Sequence, residues 1–447
     1  MKYHIWTEGC QMNVADSRRV GSALERLGYS STGKPEQADI IILNTCVVRQ
    51  SAEDKAYGRL HSLRPLKQRN PGLIINLMGC LVGVKGDEVL RKRFPFVDVF
   101  SPPSDPGPLV AFLTQGEAHA LETTETGKRN AMLDGNILLP AHERGKLVSA
   151  HVAVVYGCSH ACSFCIIPYR RGSEHSRPAG EILAEVRSLV SQGVKEVTLL
   201  GQIVDRYGRD IPDGPSLAGL LRILDQVEGL ERIRFLTSHP NYFTEELIAA
   251  VAELPKVMPH IEIPIQAGDD TVLANMRRGY TQEDFRRIVT AIRGRIPGCS
   301  IATDIIVGFP GETEEQFMQT YHLLADLRMD VAHLARYSPR PGTVAERRMT
   351  DDVPAAEKMS RFRLLEDLQG KIVGEINARL LGERVEVLFE EKVKGRWKGR
   401  TPSNKLVFVE SDADLRGRVV PVTVTWTGPW SMQATAPAPE SISLPTG

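Results

Sequence analysis

The 447 residues exceed what one hydrophobic core usually supports, so about two to four domains are expected. Lys and Arg total 55, as do Asp and Glu, so the molecule as a whole is no polycation and any nucleic-acid surface must be a local patch. The opening M-K-Y-H-I-W-T-E lacks a basic region followed by an apolar one, and no apolar run approaches the length of a membrane span; a cytoplasmic protein without membrane contact is expected. In that reducing compartment, seven cysteines read as ligands or reactive thiols rather than as staples.

The first third alternates strand and helix. Residues 3–6 suggest a short strand, 15–27 a helix with Val20, Leu24 and Leu27 on one face and Gly28 as its stop. Residues 39–43 (D-I-I-I-L) read as a buried strand, 51–69 as a helix closed by Asn70-Pro71-Gly72, and 73–78 as a third strand, which implies a parallel sheet wrapped by helices. Cys10, Cys46 and Cys80 each come just after one of these strands. Ligand sites in open parallel sheets form beyond the carboxyl ends of the strands. A lone cysteine there is most simply a small buried hydrophobe, but three at equivalent positions point to a three-thiolate metal site.

Residues 101–145 carry Pro102, Pro103, Pro106 and Pro108, then a polar stretch at 122–129, and read as a linker, most narrowly 119–143. Strands are then expected at 149–156, 196–200, 232–236, 260–264, 300–307 and 331–337, separated by helices. Such an alternation gives a partial or complete α/β barrel with its site at the carboxyl ends of the strands. Directly after the first of them stands Y-G-C-S-H-A-C-S-F-C, a C-x3-C-x2-C loop of Cys158, Cys162 and Cys165. A 4Fe-4S cube takes one ligand per iron, so three thiolates leave one iron open for a small molecule. Zinc is the rival occupant, closed by four ligands with His160 as the candidate fourth. Other strand ends carry polar residues that would face the same mouth as cofactor contacts: Gln202, Ser238 with His239, Gln266, Asp304, Gly308 with Gly311, and Arg336. Residues 308–311 read equally as a plain strand-to-helix turn followed by Glu312. Cys299 belongs to neither triad and reads as a packed thiol.

Residues 354–380 form a long, charged helical pattern, and period-two strands follow at 383–389, 396–400, 406–409, 417–424 and 426–433, the mark of a small antiparallel barrel. The run K-V-K-G-R-W-K-G-R-T-P-S-N-K holds Lys394, Arg396, Trp397, Lys398, Arg400 and Lys405 with no acidic residue. Cations track phosphates and an aromatic face stacks a base, so these six are the candidate RNA contacts; the alternative is a solvated charged face. The end of the chain, 438–447, is expected to be disordered.

Several motifs together carry a resemblance: E-G-C-Q-M-N-V-A-D-S-R, L-N-T-C-V-V-R, C-S-F-C-I-I-P-Y-R-R-G, T-D-I-I-V-G-F-P-G-E-T and Y-S-P-R-P-G-T. The chain resembles the methylthiotransferase family of radical S-adenosylmethionine (SAM) enzymes, and G-C-Q-M-N, M-R-R-G-Y-T and G-R-T-P-S-N-K-L-V resemble its tRNA-thiomethylating branch. The resemblance implies an α/β protein of three parts: an N-terminal methylthiotransferase domain (1–118), a radical SAM partial (β/α) barrel (144–374) and a C-terminal TRAM β-barrel (377–437). It implies two 4Fe-4S clusters, a radical one on Cys158, Cys162 and Cys165 and an auxiliary one on Cys10, Cys46 and Cys80. In the family's reaction one SAM methylates sulfur associated with the auxiliary cluster and a second yields a 5'-deoxyadenosyl radical. That radical takes hydrogen from C2 of N6-isopentenyladenosine beside the anticodon, and the carbon radical takes the methylthio group. C2 lies on the Watson-Crick edge, reachable in an unpaired anticodon stem-loop. The expected partners are that stem-loop and an electron donor such as flavodoxin or ferredoxin, with the enzyme a monomer.

The sequence departs from the family's usual pattern at Ile203 and Asp205, which replace two asparagines, at Arg170, and at Ala267 and Asp269. Rival readings are the same chemistry on N6-threonylcarbamoyladenosine or on an aspartate of a ribosomal protein, and, from another class, a non-catalytic iron-sulfur protein that binds RNA or carries electrons.

Overall fold

In the computed structural model, which describes residues 1–48, 50–85, 88–114 and 135–437, the N-terminal part is a five-stranded parallel sheet. Its strands are β1 (Lys2–Glu8), β2 (Ser30–Ser31), β3 (Ile40–Thr45), β4 (Ile74–Gly79) and β5 (Val99–Ser101), in the order β2-β1-β3-β4-β5. All six residues of β3 are buried, as a central strand covered on both faces requires. On one face Val20 and Leu24 of the helix Gln11–Arg26 pack with Leu109 of the helix Gly107–Thr114 against Ile40 and Ile42. On the other, Leu60 and Leu63 of the helix Gln50–Arg69 pack against Ile41 and Leu43. β2 and β5 are too short to show a period in the sequence. Part of the expected linker is structured: Pro108 opens a helix, where its missing N–H costs nothing, and Ile137 and Leu139 pack into the core of the next unit. The polar stretch 122–129 and the tail 438–447 lie outside the described residues.

Among the described residues, six parallel strands build the central unit: β6 (Ser149–Ala153), β9 (Glu196–Leu200), β10 (Arg232–Leu236), β11 (His260–Glu262), β12 (Ser300–Val307) and β13 (Val331–Arg336). Between β6 and β9 a small antiparallel pair, β7 (Val155–Tyr156) and β8 (His175–Ser176), leads into and out of the cysteine loop. The sets β6-β9-β10 and β11-β12-β13 join where Ser238 N donates to Glu262 O over 3.0 Å, making a partial barrel. The helix Ala355–Ala378 closes its far side through Leu365 and Ile372. Among the described residues no helix is long and apolar enough to cross a membrane.

The C-terminal unit is a closed barrel in the order β14-β15-β16-β18-β17, with β14 Arg384–Val393, β15 Arg396–Arg400, β16 Leu406–Val409, β17 Val419–Thr427 and β18 Met432–Thr435. It is not wholly antiparallel, because β16 and β18 run parallel, and Trp426 belongs to β17 rather than to the last strand. Its seat is the amino end of the central strands. Arg232 Nη1 donates to Arg400 O (2.7 Å), Arg234 Nη1 to Pro402 O (2.8 Å) and Nη2 to Thr401 O (2.9 Å), while Lys405 pairs with Asp330 at 2.9 Å. The small barrel thus sits opposite the carboxyl ends where the cysteine loop emerges.

Candidate functional site

The cysteine loop is shaped by its backbone. Gly157 takes φ +64, and a Cβ there would lie 2.0 Å from Ser173 O, so only glycine allows the turn that starts the loop. Cys158 N then donates to Gly172 O (3.0 Å), and Ser163 is held by Met276 O and Asn275 O at 3.0 and 2.7 Å. Arg278, buried, fixes the loop's middle: its Nη1 donates to Cys162 Sγ (3.1 Å) and its Nε to Tyr280 OH (2.9 Å). Burial pushes the Cys158 thiol up to about 11, more than the His160 backbone N–H and the Arg206 charge bring it down.

The topology brings Cys10, Cys46 and Cys80 together at the carboxyl ends of β1, β3 and β4. A Cβ on Gly9 would lie 2.8 Å from Cys46 Cβ, so glycine is what lets the two segments approach. Buried Asn13 ties them further, with its Nδ2 on Asn44 Oδ1 (2.9 Å) and Thr45 O (3.0 Å) and its Oδ1 accepting from Cys10 N (3.3 Å). Cys46 bridges the other two: its hydrogen bonds hold Cys10 down to about 6 and Cys80 down to about 7, and push its own thiol up. The Arg171 charge lowers both Cys10 and Cys80, and its Nε donates to Cys80 Sγ over 3.2 Å.

Both triads reach one cavity of ≈ 740 Å³, the loop triad through Cys158, Cys162 and Cys165 and the N-terminal one through Cys10 and Cys46, while Cys80 is buried and does not line it. Of the sequence-derived cofactor residues, Gln202, Ser238, Gln266 and Asp304 line it. Gly308 and Arg336 do not. Gly308 N is taken by Glu312 Oε2 (2.6 Å) and the stem of Lys358 covers it, which is the strand-to-helix turn, and Arg336 is exposed at the end of β13. Among the described residues, Ser238 Oγ, His239 Nε2 and Gln266 Oε1 find no hydrogen-bond partner although all three are buried. Such groups in a cleft mark a ligand's polar contacts. His239 Nδ1 accepts from Asn241 N, and burial holds the ring down to about 2, so a neutral imidazole presents Nε2–H to the cavity. Glu262 also lines it, pushed up to about 7 by burial and then by Asp304. Sequence reasoning passed over Arg171, Arg278 and Glu262; the two arginines stand in P-Y-R-R and M-R-R-G-Y-T, motifs quoted for other reasons.

The basic run of the C-terminal barrel is used differently from expectation. Trp397 is 5 % exposed within that barrel's core and offers no face to a base, because its strand turns it inward. Lys405 is spent on Asp330, and the Arg400 guanidinium donates from Nη1 to Asn404 O (3.1 Å) and lies 3.8 Å from Glu390 Oε1. Lys398 pairs with Glu391 (2.9 Å) and Arg396 lies over Phe408 at 5.2 Å, both on the barrel's surface, while Lys394 is exposed at the tip of the β14-β15 hairpin.

The donor sets fit iron-sulfur clusters: each triad offers sulfur alone, and each has one sulfur receiving a guanidinium hydrogen bond, which favours the thiolate. Among the described residues no group of three or more His, Cys, Asp or Glu is gathered for a single metal ion. A cluster sets each thiolate on a different iron and asks for no such gathering.

Comparison with known proteins divides the chain as the fold does. Residues 2–101 match the uncharacterized protein family UPF0004, 152–324 the radical SAM superfamily and 378–436 the TRAM domain. Among solved structures it is similar to the radical SAM methyltransferase TsrM of Kitasatospora setae, with a TM-score of 0.56 at 15% identity over 89% of this chain and 80% of that one, a likeness of fold. Among curated proteins, the tRNA-2-methylthio-N(6)-dimethylallyladenosine synthase of Dehalococcoides mccartyi (strain CBDB1) is 48% identical over 97% of both chains. The same-named protein of Roseiflexus sp. (strain RS-1) is 48% identical over 97% of this chain and 89% of its own, and that of Chloroflexus aurantiacus 46% over 99% and 93%. Membership of the radical SAM superfamily implies a 4Fe-4S cluster and S-adenosylmethionine. With three matching parts and near-complete alignment to these relatives, the chain belongs to the radical SAM methylthiotransferase family, in the branch of the tRNA-2-methylthio-N6-dimethylallyladenosine synthases.

Proposed function

We propose that this protein is a tRNA methylthiotransferase that places a methylthio group on C2 of N6-isopentenyladenosine beside the anticodon, using one SAM as methyl donor and another as radical source. The observation that carries the reading is the shared cavity, since radical formation and sulfur delivery must reach one carbon atom and both triads open on the same space. Cys158, Cys162 and Cys165 hold one 4Fe-4S cluster, and Cys10, Cys46 and Cys80 the other. Such a cluster supplies a one-electron reductant and, with three cysteine ligands, one iron open to a small molecule.

The chain's own residues do the rest. Arg278 and Arg171 stabilise one thiolate in each triad. Gln202, Ser238, Gln266 and Asp304, with His239, bind the polar groups of SAM. Leu200, Ile203, Leu236 and Phe164 line the cavity with apolar surface that excludes water and protects a carbon radical from it. The functional divisions are 1–118, 144–374 and 377–437, joined by 119–143. The protein works as a cytoplasmic monomer on an anticodon stem-loop, with a flavodoxin or ferredoxin as electron donor. Lys394, Arg396 and Lys398 contact the RNA backbone.

Two measurements test this. Anaerobically reconstituted protein should hold about eight irons per chain, falling to about four when Cys158, Cys162 and Cys165 are replaced by alanine, as two four-iron clusters require. Nucleoside mass spectrometry after turnover on unmodified-at-C2 tRNA should show the methylthio product of N6-isopentenyladenosine. A methylthio group on N6-threonylcarbamoyladenosine, or on a ribosomal-protein aspartate, would overturn the substrate assignment and keep the chemistry.

A further inference from the structure

Arg171 belongs by sequence to the segment after the C-x3-C-x2-C loop, yet its side chain ends in the other triad. Its Nε donates to Cys80 Sγ over 3.2 Å, and Nη1 and Nη2 both donate to Asp16 Oδ2 over 3.2 Å, with Ser104 Oγ 3.3 Å from Nη1. Ser104 Oγ donates in turn to Asp16 Oδ1 (2.6 Å). The ion pair is enclosed, with side-chain exposures of 3% and 0%. The neighbouring Gly172 accepts from Cys158 N through its carbonyl over 3.0 Å, so one dipeptide holds the first cysteine of the loop by its main chain and the last N-terminal cysteine by its side chain.

Resting on the two-cluster reading, we propose that Arg171 is a positioning residue for the N-terminal cluster. Its hydrogen bond and charge fix the Cys80 sulfur and raise that cluster's reduction potential, and the carbonyl of the next residue, Gly172, ties this setting to the radical loop. Hydrogen bonds and positive charge at a ligand sulfur favour the reduced, more negative cluster. Asp16 offsets the charge and orients the guanidinium fork, which a lysine would not reproduce. The two residues therefore act on the potential with opposite signs.

The test uses the full chain carrying alanine at Cys158, Cys162 and Cys165, so that only the N-terminal triad binds iron, and reads the midpoint potential by electron paramagnetic resonance in a redox titration. Asp16→Asn, which keeps every thiol and the guanidinium, should raise the potential. Arg171→Gln combined with Asp16→Asn, which leaves no buried lone charge, should lower it below the parent's. A potential unmoved in Asp16→Asn overturns the proposal even if the double variant loses its iron, and so does a double variant that keeps its iron at the parent's potential. A parent that binds no iron takes down the cluster reading itself, and the role of Arg171 with it. Four irons in the parent beside unmoved variants would leave that reading standing and remove only this one.

Discussion

Asp205 shows how one atom pair changes a site's chemistry. It stands where the family resemblance leads one to expect asparagine, and its carboxylate accepts at 2.9 and 3.1 Å from the backbone N of His239, a residue that lines the cavity. Burial pushes it up to about 7, against the His239 N–H bond that favours the anion. The unfolded chain releases this proton near the ordinary value of 3.8 while the folded chain keeps it to about 7. Folded protein therefore binds more protons in that window, and its stability falls as pH rises through it. Asparagine has no proton to lose. Asp205→Asn should match the parent's unfolding free energy near pH 4 and exceed it at pH 8 by on the order of 4 kcal/mol, measured by denaturant unfolding of apo-protein. A gap independent of pH would show that the carboxylate is not desolvated.

At the scale of the element, β15 shows the limit of reading a composition. Its sequence R-W-K-G-R looks like a stacking aromatic among phosphate-binding cations, but strand alternation puts Trp397 and Gly399 inside and the cations outside. Gly399 is there because a Cβ would meet Leu388 O of the adjoining strand β14 at 2.4 Å. Trp397→Ala should cost the C-terminal barrel about 3–5 kcal/mol through the cavity it leaves, seen as an early thermal transition, with any loss of tRNA binding tracking that transition. Retained folding with lost binding would return the tryptophan to the RNA surface.

At the scale of the molecule, charged residues decide how the three parts are assembled. Arg340, 5 % exposed, reaches from the segment after β13 to Gln50 Oε1 (2.7 Å) and to Glu53 on the N-terminal unit, and Arg19 reaches Tyr156 OH. The C-terminal barrel is fixed to the amino end of the central strands by Arg232, Arg234 and Lys405. Two kinds of lysine follow on that barrel. Lys394→Ala with Lys398→Ala should flatten the slope of log affinity for tRNA against log salt by roughly 1–2, since each phosphate contact contributes just under one. Lys405→Ala should leave the slope unchanged and instead loosen the barrel, lowering its melting temperature. The reverse pattern would place the RNA on the loop at 400–405.

The sequence by itself determined the six cysteine positions, the alternation that makes two α/β units, and the period-two barrel, because each is written in local spacing: C-x3-C-x2-C on one loop, and one cysteine after each of β1, β3 and β4. Its topology made the second triad legible, since parallel strands bring their carboxyl ends to one edge. Only the tertiary structure decided that Arg171 and Arg278 reach sulfur, that Gly308 and Arg336 stay out of the cavity, that Trp397 points inward, and that the small barrel docks on the end away from the cysteines. The guanidinium contacts depend on which side chains meet across distances of more than a hundred residues, as Arg171 does with Asp16 and Arg278 with Cys162. A guanidinium shows no period and no spacing; its role is set by the anion or sulfur the fold delivers to it.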